Sequence, residues 1–176
     1  MNKNTYAPGP YMDKELINSA KVGDTKGVIK AIRDGANIWG AREEGSGYTA
    51  LMGAIQFGKL ETVKSLLEWG AAAVMEVETS NGTTALNCAA SNACINGDRL
   101  EILRLLLRNG AQAKDKNKNG KTARDYACSE EVKVLLDKSD PLFLKLQEQK
   151  DVLGRKEVLN EIIKDLNSDT DPRGDI

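Results

Sequence analysis

Histidine is absent from this 176-residue chain, and aromatic residues make up only 5% of it. The lack of histidine removes the commonest general base and the commonest transition-metal ligand together. No glycine-rich phosphate-binding motif is present, and the carboxylates are scattered along polar segments rather than clustered. We therefore expect no enzymatic activity, no cofactor and no metal site.

Cysteine is also scarce. Cys88, Cys94 and Cys128 form no Cys-x-x-Cys motif, and their number is odd. This usage is typical of reduced thiols in a cytosolic protein, so a cytoplasmic localisation is expected. A zinc site would need four ligands at closer spacing. The chain has no apolar run long enough for a membrane span and no apolar segment typical of a secretory signal, so neither is expected.

Charge of one sign is not in excess, since 25 basic residues face 26 acidic ones for a net charge of −1. Nothing in this balance indicates nucleic acid or an anionic membrane as a partner, and neither is expected. The hydrophobic fraction is 40%, and much of it is leucine, isoleucine, valine and alanine. Such a composition favours thin layers of helix on helix over a deep core.

What the chain does contain is a stretch that occurs three times, beginning at Gly47, Gly82 and Gly120. Each copy opens with Gly-x-Thr-Ala and has a second alanine seven residues after the glycine. The copies lie 35 and 38 residues apart, and a Gly-Ala dipeptide precedes each of them. A period in this range indicates a stack of small helical units.

Each unit is predicted to hold two short helices. In the second unit Thr49 should cap a first helix, which Gly58 ends. The second helix then carries apolar residues at i, i+3, i+6 and i+7 from Leu60 and stops at Gly70. In the first unit Asp13 is predicted to cap a helix that runs to Val22. That unit lacks the Gly-x-Thr opening, and the last unit lacks the glycine between its helices.

The chain therefore divides into a flexible leader (1–12), a repeat domain (13–138), a C-terminal helical extension (139–167) and a disordered acidic tail (168–176). The repeat domain is predicted to hold four units, at about residues 13–45, 46–78, 79–117 and 118–138.

The second unit resembles the ankyrin repeat, whose consensus joins Thr-Pro-Leu-His-x-Ala to Leu-Leu-x-x-Gly-Ala. Here residues 47–54 read GYTALMGA, and residues 59–71 read KLETVKSLLEWGA. The resemblance covers roughly residues 14–138 and implies an all-α repeat fold, a solenoid of helix–turn–helix units with β-turn fingers between them. Alanine replaces the consensus proline in all three copies. The consensus histidine, a structural hydrogen-bonding residue of the family, is replaced by Met52, Asn87 and Asp125.

The resemblance also implies a function. Ankyrin stacks bind protein partners through their finger loops and the concave face of their first helices, without catalysis, so we expect an adaptor or an inhibitor. Large aromatic side chains often dominate such interfaces, because they bury much area with few rotors. Trp39 or Phe57 could instead fill a gap between adjacent units. Carried over by position, the expected partner-binding residues are Trp39, Arg42, Tyr48, Gln56, Phe57, Trp69, Met75, Glu76, Glu78, Thr83, Asn92, Lys114, Lys116 and Lys118, with residues 75–78 placed on a finger.

Three features of the repeat domain leave alternatives open. Acids outnumber bases over residues 41–80, and bases outnumber acids over residues 104–124. This polarity would orient a partner, or it reflects ordinary solvated helix faces. Residues 91–96 lengthen the third unit on the side away from the fingers, which indicates either a functional face or drift. Cys88 and Cys128 are expected to pack as small apolar residues, whereas Cys94 is the candidate for exposure.

The C-terminal extension carries an amphipathic helix pattern, with Leu159, Ile162, Ile163 and Leu166 at i, i+3, i+4 and i+7. This face could cap the last repeat, which is the simpler interpretation. It could also pair with a second copy and make the chain a self-assembling scaffold or a regulatory subunit. A homo-oligomer is therefore possible but not favoured.

Overall fold

The computed structural model describes residues 8–139, in which seven α-helices and one 3-10 turn form four successive pairs and a second 3-10 turn lies in a connection. These residues all belong to the first of two units into which the chain divides, Met1–Pro141. The predicted C-terminal extension and tail, from residue 140 onward, and leader residues 1–7 lie outside the described residues.

The helices form two layers. The first members of the pairs are α1 (Pro8–Val22), α3 (Ala50–Gln56), α5 (Ala85–Asn92) and the 3-10 turn Ala123–Tyr126. The second members are α2 (Thr25–Arg33), α4 (Leu60–Glu68), α6 (Gly97–Arg108) and α7 (Glu130–Asp137), and a further 3-10 turn, Ala71–Val74, follows α4. Each first member contacts the next, α2 contacts α4, and α4 contacts α6. The predicted all-α repeat stack is therefore confirmed.

The recurring Gly-x-Thr-Ala stretch builds the start of the first helical segment in units 2 to 4. Thr49 and Thr84 are extended N-caps whose hydroxyls accept hydrogen bonds from the backbone amides three residues later. In two units the residue at the consensus histidine position completes the cap. Asn87 Oδ1 accepts the Thr84 amide at 3.1 Å, and Asp125 Oδ2 accepts the Thr122 amide at 2.7 Å. The replacements of histidine therefore still supply a hydrogen bond to the helix start.

The core lies between the two layers. Leu16, Leu51, Leu66 and Leu103 are among its fully buried side chains, and each contributes roughly 1.5–3 kcal/mol by leaving water. Alanines fill the first-helix positions where neighbouring units meet, which lets these helices pack closely. Most of the apolar stripe predicted from the repeat pattern is buried in this way.

The first helix begins earlier than predicted. It starts at Pro8 rather than after Asp13, because proline lacks an N–H that the first helical turn would leave unpaired anyway. Residues 8–12 are thus helical and do not belong to a flexible leader. The Asp13 carboxylate instead accepts the backbone amide of Asn37 at 2.6 Å and ties α1 to the loop after α2.

The cysteine prediction was wrong in two respects, the expectation that the thiols are reduced and the expectation that Cys128 is packed. Cys88 is buried and free, as expected, and Cys94 is exposed. Cys128, however, is exposed rather than packed, and it forms a disulfide with Cys94. The cause is the short last unit, in which the 3-10 turn passes almost directly into α7. Cys128 therefore lies in the connection between them, beside the loop that carries Cys94.

Candidate functional site

Three turns project between the units. We call them finger 1 (residues 43–48), finger 2 (79–83) and finger 3 (117–121). Each is closed by a backbone hydrogen bond from its first amide to its last carbonyl, at 2.9, 3.0 and 2.9 Å. Each also contains a glycine with positive φ, which reverses the chain just before the threonine cap. These turns correspond to the predicted β-turn fingers, although no strand occurs within residues 8–139.

The fingers are joined to each other. The Ser80 amide and hydroxyl donate to the carbonyls of Ser46 (3.0 Å) and Gly45 (2.8 Å) on finger 1. From finger 3, Lys118 Nζ donates to the Ser80 carbonyl at 2.7 Å, and Asn119 Nδ2 donates to the Asn81 carbonyl at 2.8 Å. The three turns therefore form one continuous edge, the finger edge. A surface ordered before binding loses less entropy when a partner docks.

Asn117 links fingers 2 and 3 from inside the structure. Its side chain is buried, and Nδ2 lies within bonding distance of Gly82 O (2.5 Å), Tyr126 Oη (3.1 Å) and Asn87 Oδ1 (3.3 Å). Its Oδ1 accepts the Lys121 amide at 3.0 Å, as Thr79 Oγ1 accepts the Thr83 amide at 3.0 Å in finger 2. The two fingers are thus closed by the same side-chain device.

Two tryptophans lie where the chain approaches the fingers. Trp39 is 58% exposed and Trp69 is 39% exposed. The Trp39 indole N–H donates to the carbonyl of Gly70, next to Trp69, at 3.3 Å. Arg42 is exposed and donates from its guanidinium to the Trp39 carbonyl at 3.2 Å. We call Trp39 and Trp69 the tryptophan pair. More than half of Trp39 faces solvent, and its indole N–H reaches across to unit 2.

Tyr48 stands at the end of finger 1 and is half-buried. Burial raises its pKa, and the nearby Cys88 and Glu43 add to the rise. On finger 1 the Glu43 carboxylate is paired with Lys21 of α1 and accepts the Ser46 hydroxyl at 2.6 Å. These contacts hold the pKa of Glu43 below its usual value, Lys21 being the main cause and Ser46 the second.

Gln56 and Asn92 lie further along the first helices. Gln56 is exposed, and its Oε1 accepts the Cys88 thiol at 3.0 Å. Asn92 is half-buried, and its amide donates to the Cys88 carbonyl at 2.8 Å. Burial raises the pKa of the Cys88 thiol to about 11. The Gln56–Cys88 bond links α3 to α5 on the face of the first helices, and the Asn92 bond lies within α5.

Phe57 is 52% exposed but stands apart from the fingers, because it follows the C-terminal end of α3. Tyr48 precedes the N-terminal end of that helix, roughly 10 Å away by helical rise. Trp69 follows the antiparallel α4 and so returns to the finger side. The predicted aromatic anchors therefore lie at two opposite ends of the units.

The predicted finger stretch 75–78 was misplaced. The 3-10 turn Ala71–Val74 carries the chain inward, so Met75 is only 5% exposed and cannot be a surface contact. The tip of finger 2 is residues 80–82. Glu76 is exposed beside a polar cleft of about 360 Å³, and partial desolvation of its carboxylate by the cleft raises its pKa. Glu78 Oε1 accepts the backbone amide of Lys118 at 2.6 Å.

The remaining predicted residues lie on or near fingers 2 and 3. Thr83 is half-buried and occupies the same position after the turn glycine as Tyr48. Lys114 and Lys116 are exposed. Lys118 is exposed too, but its ammonium is bound to finger 2, so it holds the edge together rather than projecting freely.

Within residues 8–139 no group of three or more acidic or cysteine side chains is placed to hold a metal ion. No helix in this part of the chain has the length and apolarity that a bilayer crossing requires.

A family model described as "Ankyrin repeats (3 copies)" matches residues 16–112, more than half of the chain. The chain belongs to the ankyrin repeat family. Its ankyrin fold also matches the crystal structure of the ankyrin repeat domain of Bcl-3, described as a unique member of the IkappaB protein family. The TM-score is 0.60 and the identity 27%, over 69% of this chain and 50% of that one.

A curated relative from Arabidopsis thaliana, zinc finger CCCH domain-containing protein 66, is 36% identical over 109 residues. The match covers 54% of this chain but only 18% of that protein. The present chain thus spans about half of the Bcl-3 domain and less than a fifth of the curated relative.

Several residues of the site were not predicted from the sequence. The finger edge is held together by Thr79, Ser80, Asn117 and Asn119. For two of these residues the sequence contains a signal that predicts the role. Thr79 and Asn117 each lie three residues before a turn glycine, where a short polar side chain can accept the amide that follows the turn. Ser80 and Asn119 carry no comparable signal, because their partners belong to another unit.

Proposed function

We propose that this ankyrin domain is a protein-binding module that grips one partner with its finger edge, the tryptophan pair and the face of the first helices, as an adaptor or an inhibitor. Ankyrin repeat domains mediate protein–protein interactions, and the typical family member is not an enzyme. The identity of the partner is a matter for experiment.

The observation that carries the proposal is the tryptophan pair. Trp39 is 58% exposed and Trp69 is 39% exposed, so both hold large apolar surface in water. Covering this surface with a partner would favour binding. The Trp39 indole is already held by Gly70 O, so little side-chain entropy is lost when it is covered. Tryptophan and arginine are the residue types most enriched among interface hot spots, and Arg42 is adjacent.

The test begins with affinity capture from the native cell and identification of the partner by mass spectrometry. The purified partner is then titrated calorimetrically against the wild type and the double variant Trp39→Ala/Trp69→Ala. We expect the double variant to bind about tenfold more weakly or worse. Circular dichroism should show unchanged helicity, because both tryptophans lie outside the α-helices and neither is fully buried.

Phe57→Ala is the matched control, since it removes an aromatic side chain of similar exposure at the opposite end of the units. It should leave the affinity unchanged. Equal affinity of the wild type and the double variant would refute the proposed site, as would a loss confined to Phe57→Ala.

A further inference from the structure

On the side opposite the fingers, the first two unit interfaces are bridged by long cationic side chains. Lys59 of unit 2 lies directly on Gly23 of unit 1, where an added Cβ would come within 2.8 Å of Lys59 Cδ. Arg99 of unit 3 covers Gly58 of unit 2 in the same way and donates to the Gln56 carbonyl at 2.9 Å. Units 2 and 3 are thus each held against the helix–helix turn of the preceding unit.

The interface between unit 3 and the last unit is held by a different type of contact. Unit 3 has no positive-φ glycine between α5 and α6, and a Cβ added at Gly97 would meet nothing within 4 Å, so unit 3 offers the last unit no surface equivalent to Gly23 or Gly58. Its place is taken by the disulfide between Cys94, in the loop between α5 and α6, and Cys128, just before α7. On the finger side the last unit is held by Asn117, Asn119 and Lys118. The disulfide holds the other side.

We propose that Cys94 and Cys128 form a reversible thiol-oxidation site that fastens or releases the last unit of the stack. Both cysteines are exposed, so oxidants and reductants reach them directly. Cys88 is not part of the site, because it is buried and makes its hydrogen bond to Gln56. Residues 91–96, which lengthen the third unit, then have a physical role, since they carry Cys94 to the last unit.

The geometry also assigns the two thiols their order of reaction. In the disulfide-bonded structure the Cys94 backbone N–H donates to Cys128 Sγ at 3.1 Å, and the same donor, retained after reduction, would favour the thiolate form of Cys128. In the reduced protein the Cys128 thiolate attacks a hydroperoxide, which gives a Cys128 sulfenic acid and releases water or an alcohol. The Cys94 thiol then attacks this sulfur, the S–S bond forms, and a second water leaves. A dithiol reductant reverses the step and becomes a disulfide itself.

The last unit is small, and its buried apolar side chains are few, chiefly Ala123, Val132 and Leu136. Terminal units of a stack contact only one neighbour and open most readily. Release of the disulfide should therefore loosen residues 123–137 while the fingers still hold one side. Oxidation should suppress this opening.

The experiment uses the full chain treated with hydrogen peroxide or with dithiothreitol. Peptide mapping should show a Cys94–Cys128 crosslink only after peroxide, and dithiothreitol should remove it from the native protein. With dimedone present during oxidation, Cys94→Ser should trap a sulfenic acid at Cys128, whereas Cys128→Ser should trap little at Cys94. A predominant crosslink to Cys88, or no crosslink, would overturn the proposal.

Amide hydrogen exchange measures the consequence. Reduction should speed exchange in residues 123–137 by about tenfold or more and leave α3 and α4 unchanged. Cys94→Ser should behave like the reduced wild type under both treatments, and the matched control Cys88→Ser should still respond to oxidation. Exchange in residues 123–137 that is equal in the oxidised and reduced wild type would show that the crosslink fastens nothing.

Discussion

At the scale of single residues, Asn117 has the largest structural consequence outside the apolar core. It is 6% exposed, and its amide serves finger 2, finger 3 and the last unit at once. Replacement by alanine leaves buried groups such as Gly82 O without their partner. We expect Asn117→Ala to lower the free energy of unfolding by about 2–4 kcal/mol, measured by urea denaturation.

Asn119→Ala is the matched control. It removes one amide from the neighbouring exposed position, where water replaces the lost bond to Asn81 O. Its cost should stay below about 1 kcal/mol. Equal costs for the two variants would contradict the role assigned to Asn117.

Glu43 gives a residue-scale prediction about pH. Lys21 and then Ser46 lower its pKa in the folded protein, so its contribution is complete above the unfolded value and is lost as the pH falls through the folded value. Glu43→Gln should therefore destabilise the protein at pH 7 but much less below about pH 4. The side chain is 34% exposed, so with solvent screening the effect should be under about 1 kcal/mol.

Thermal unfolding across the pH range measures this effect, and Glu44→Gln at the neighbouring exposed position is the control. A destabilisation by Glu43→Gln that is constant from pH 7 to below pH 4 would show that ionisation is not the cause.

Residues whose role lies within one unit were predictable from the sequence. Thr49 and Thr84 cap their helices as expected, because a cap depends on a side chain and an amide three residues apart. Met75 was misplaced because the short turn that buries it leaves no periodic pattern. Cys128 was misplaced because its partner belongs to another unit, at a distance that no local spacing encodes.

At the scale of elements, the fingers depend on close contact between neighbouring turns. Gly82 has a φ of +76°, and a Cβ there would lie 2.5 Å from Asn119 Nδ2 and 2.9 Å from Lys118 side-chain carbons. Gly45 has a similar φ of +80°, but a Cβ would meet nothing within 4 Å. Both alanine variants bear the strain of positive φ, roughly 1–2 kcal/mol. Only Gly82→Ala should also displace finger 3.

We therefore expect Gly82→Ala to destabilise the protein more than Gly45→Ala, and to speed hydrogen exchange in residues 117–121. Chemical denaturation and exchange of the two variants make the comparison. If both variants lose the same stability and finger 3 is unaffected, the fingers are not mechanically coupled.

The elements themselves were largely predictable, because helix starts, glycine turns and apolar stripes are local signals. Their ends were less so. α1 starts early, at Pro8, and the first helical segment of the last unit is shortened to the 3-10 turn Ala123–Tyr126. Both differences occur in the two outermost units. Within residues 8–139 each of these units meets only one other unit, and the repeat pattern does not constrain its outer side.

At the scale of the whole stack, the aromatic residues of the candidate site lie at two opposite ends of the units. Antiparallel helices place Tyr48 and Trp69 toward the fingers and Phe57 away from them. The repeat pattern alone supports this division, since successive helices reverse direction at Gly58. What it does not supply is the hydrogen-bonded joining of the fingers, which makes the finger edge one preformed surface.

Hydrogen exchange of the full chain, alone and saturated with its captured partner, tests the central claim most directly. The account predicts slower exchange in residues 37–48 and 69–83, which carry the tryptophan pair and fingers 1 and 2, with no change in residues 57–60. Protection confined to residues 57–60 and 94–99, at the opposite end of the units, would contradict it.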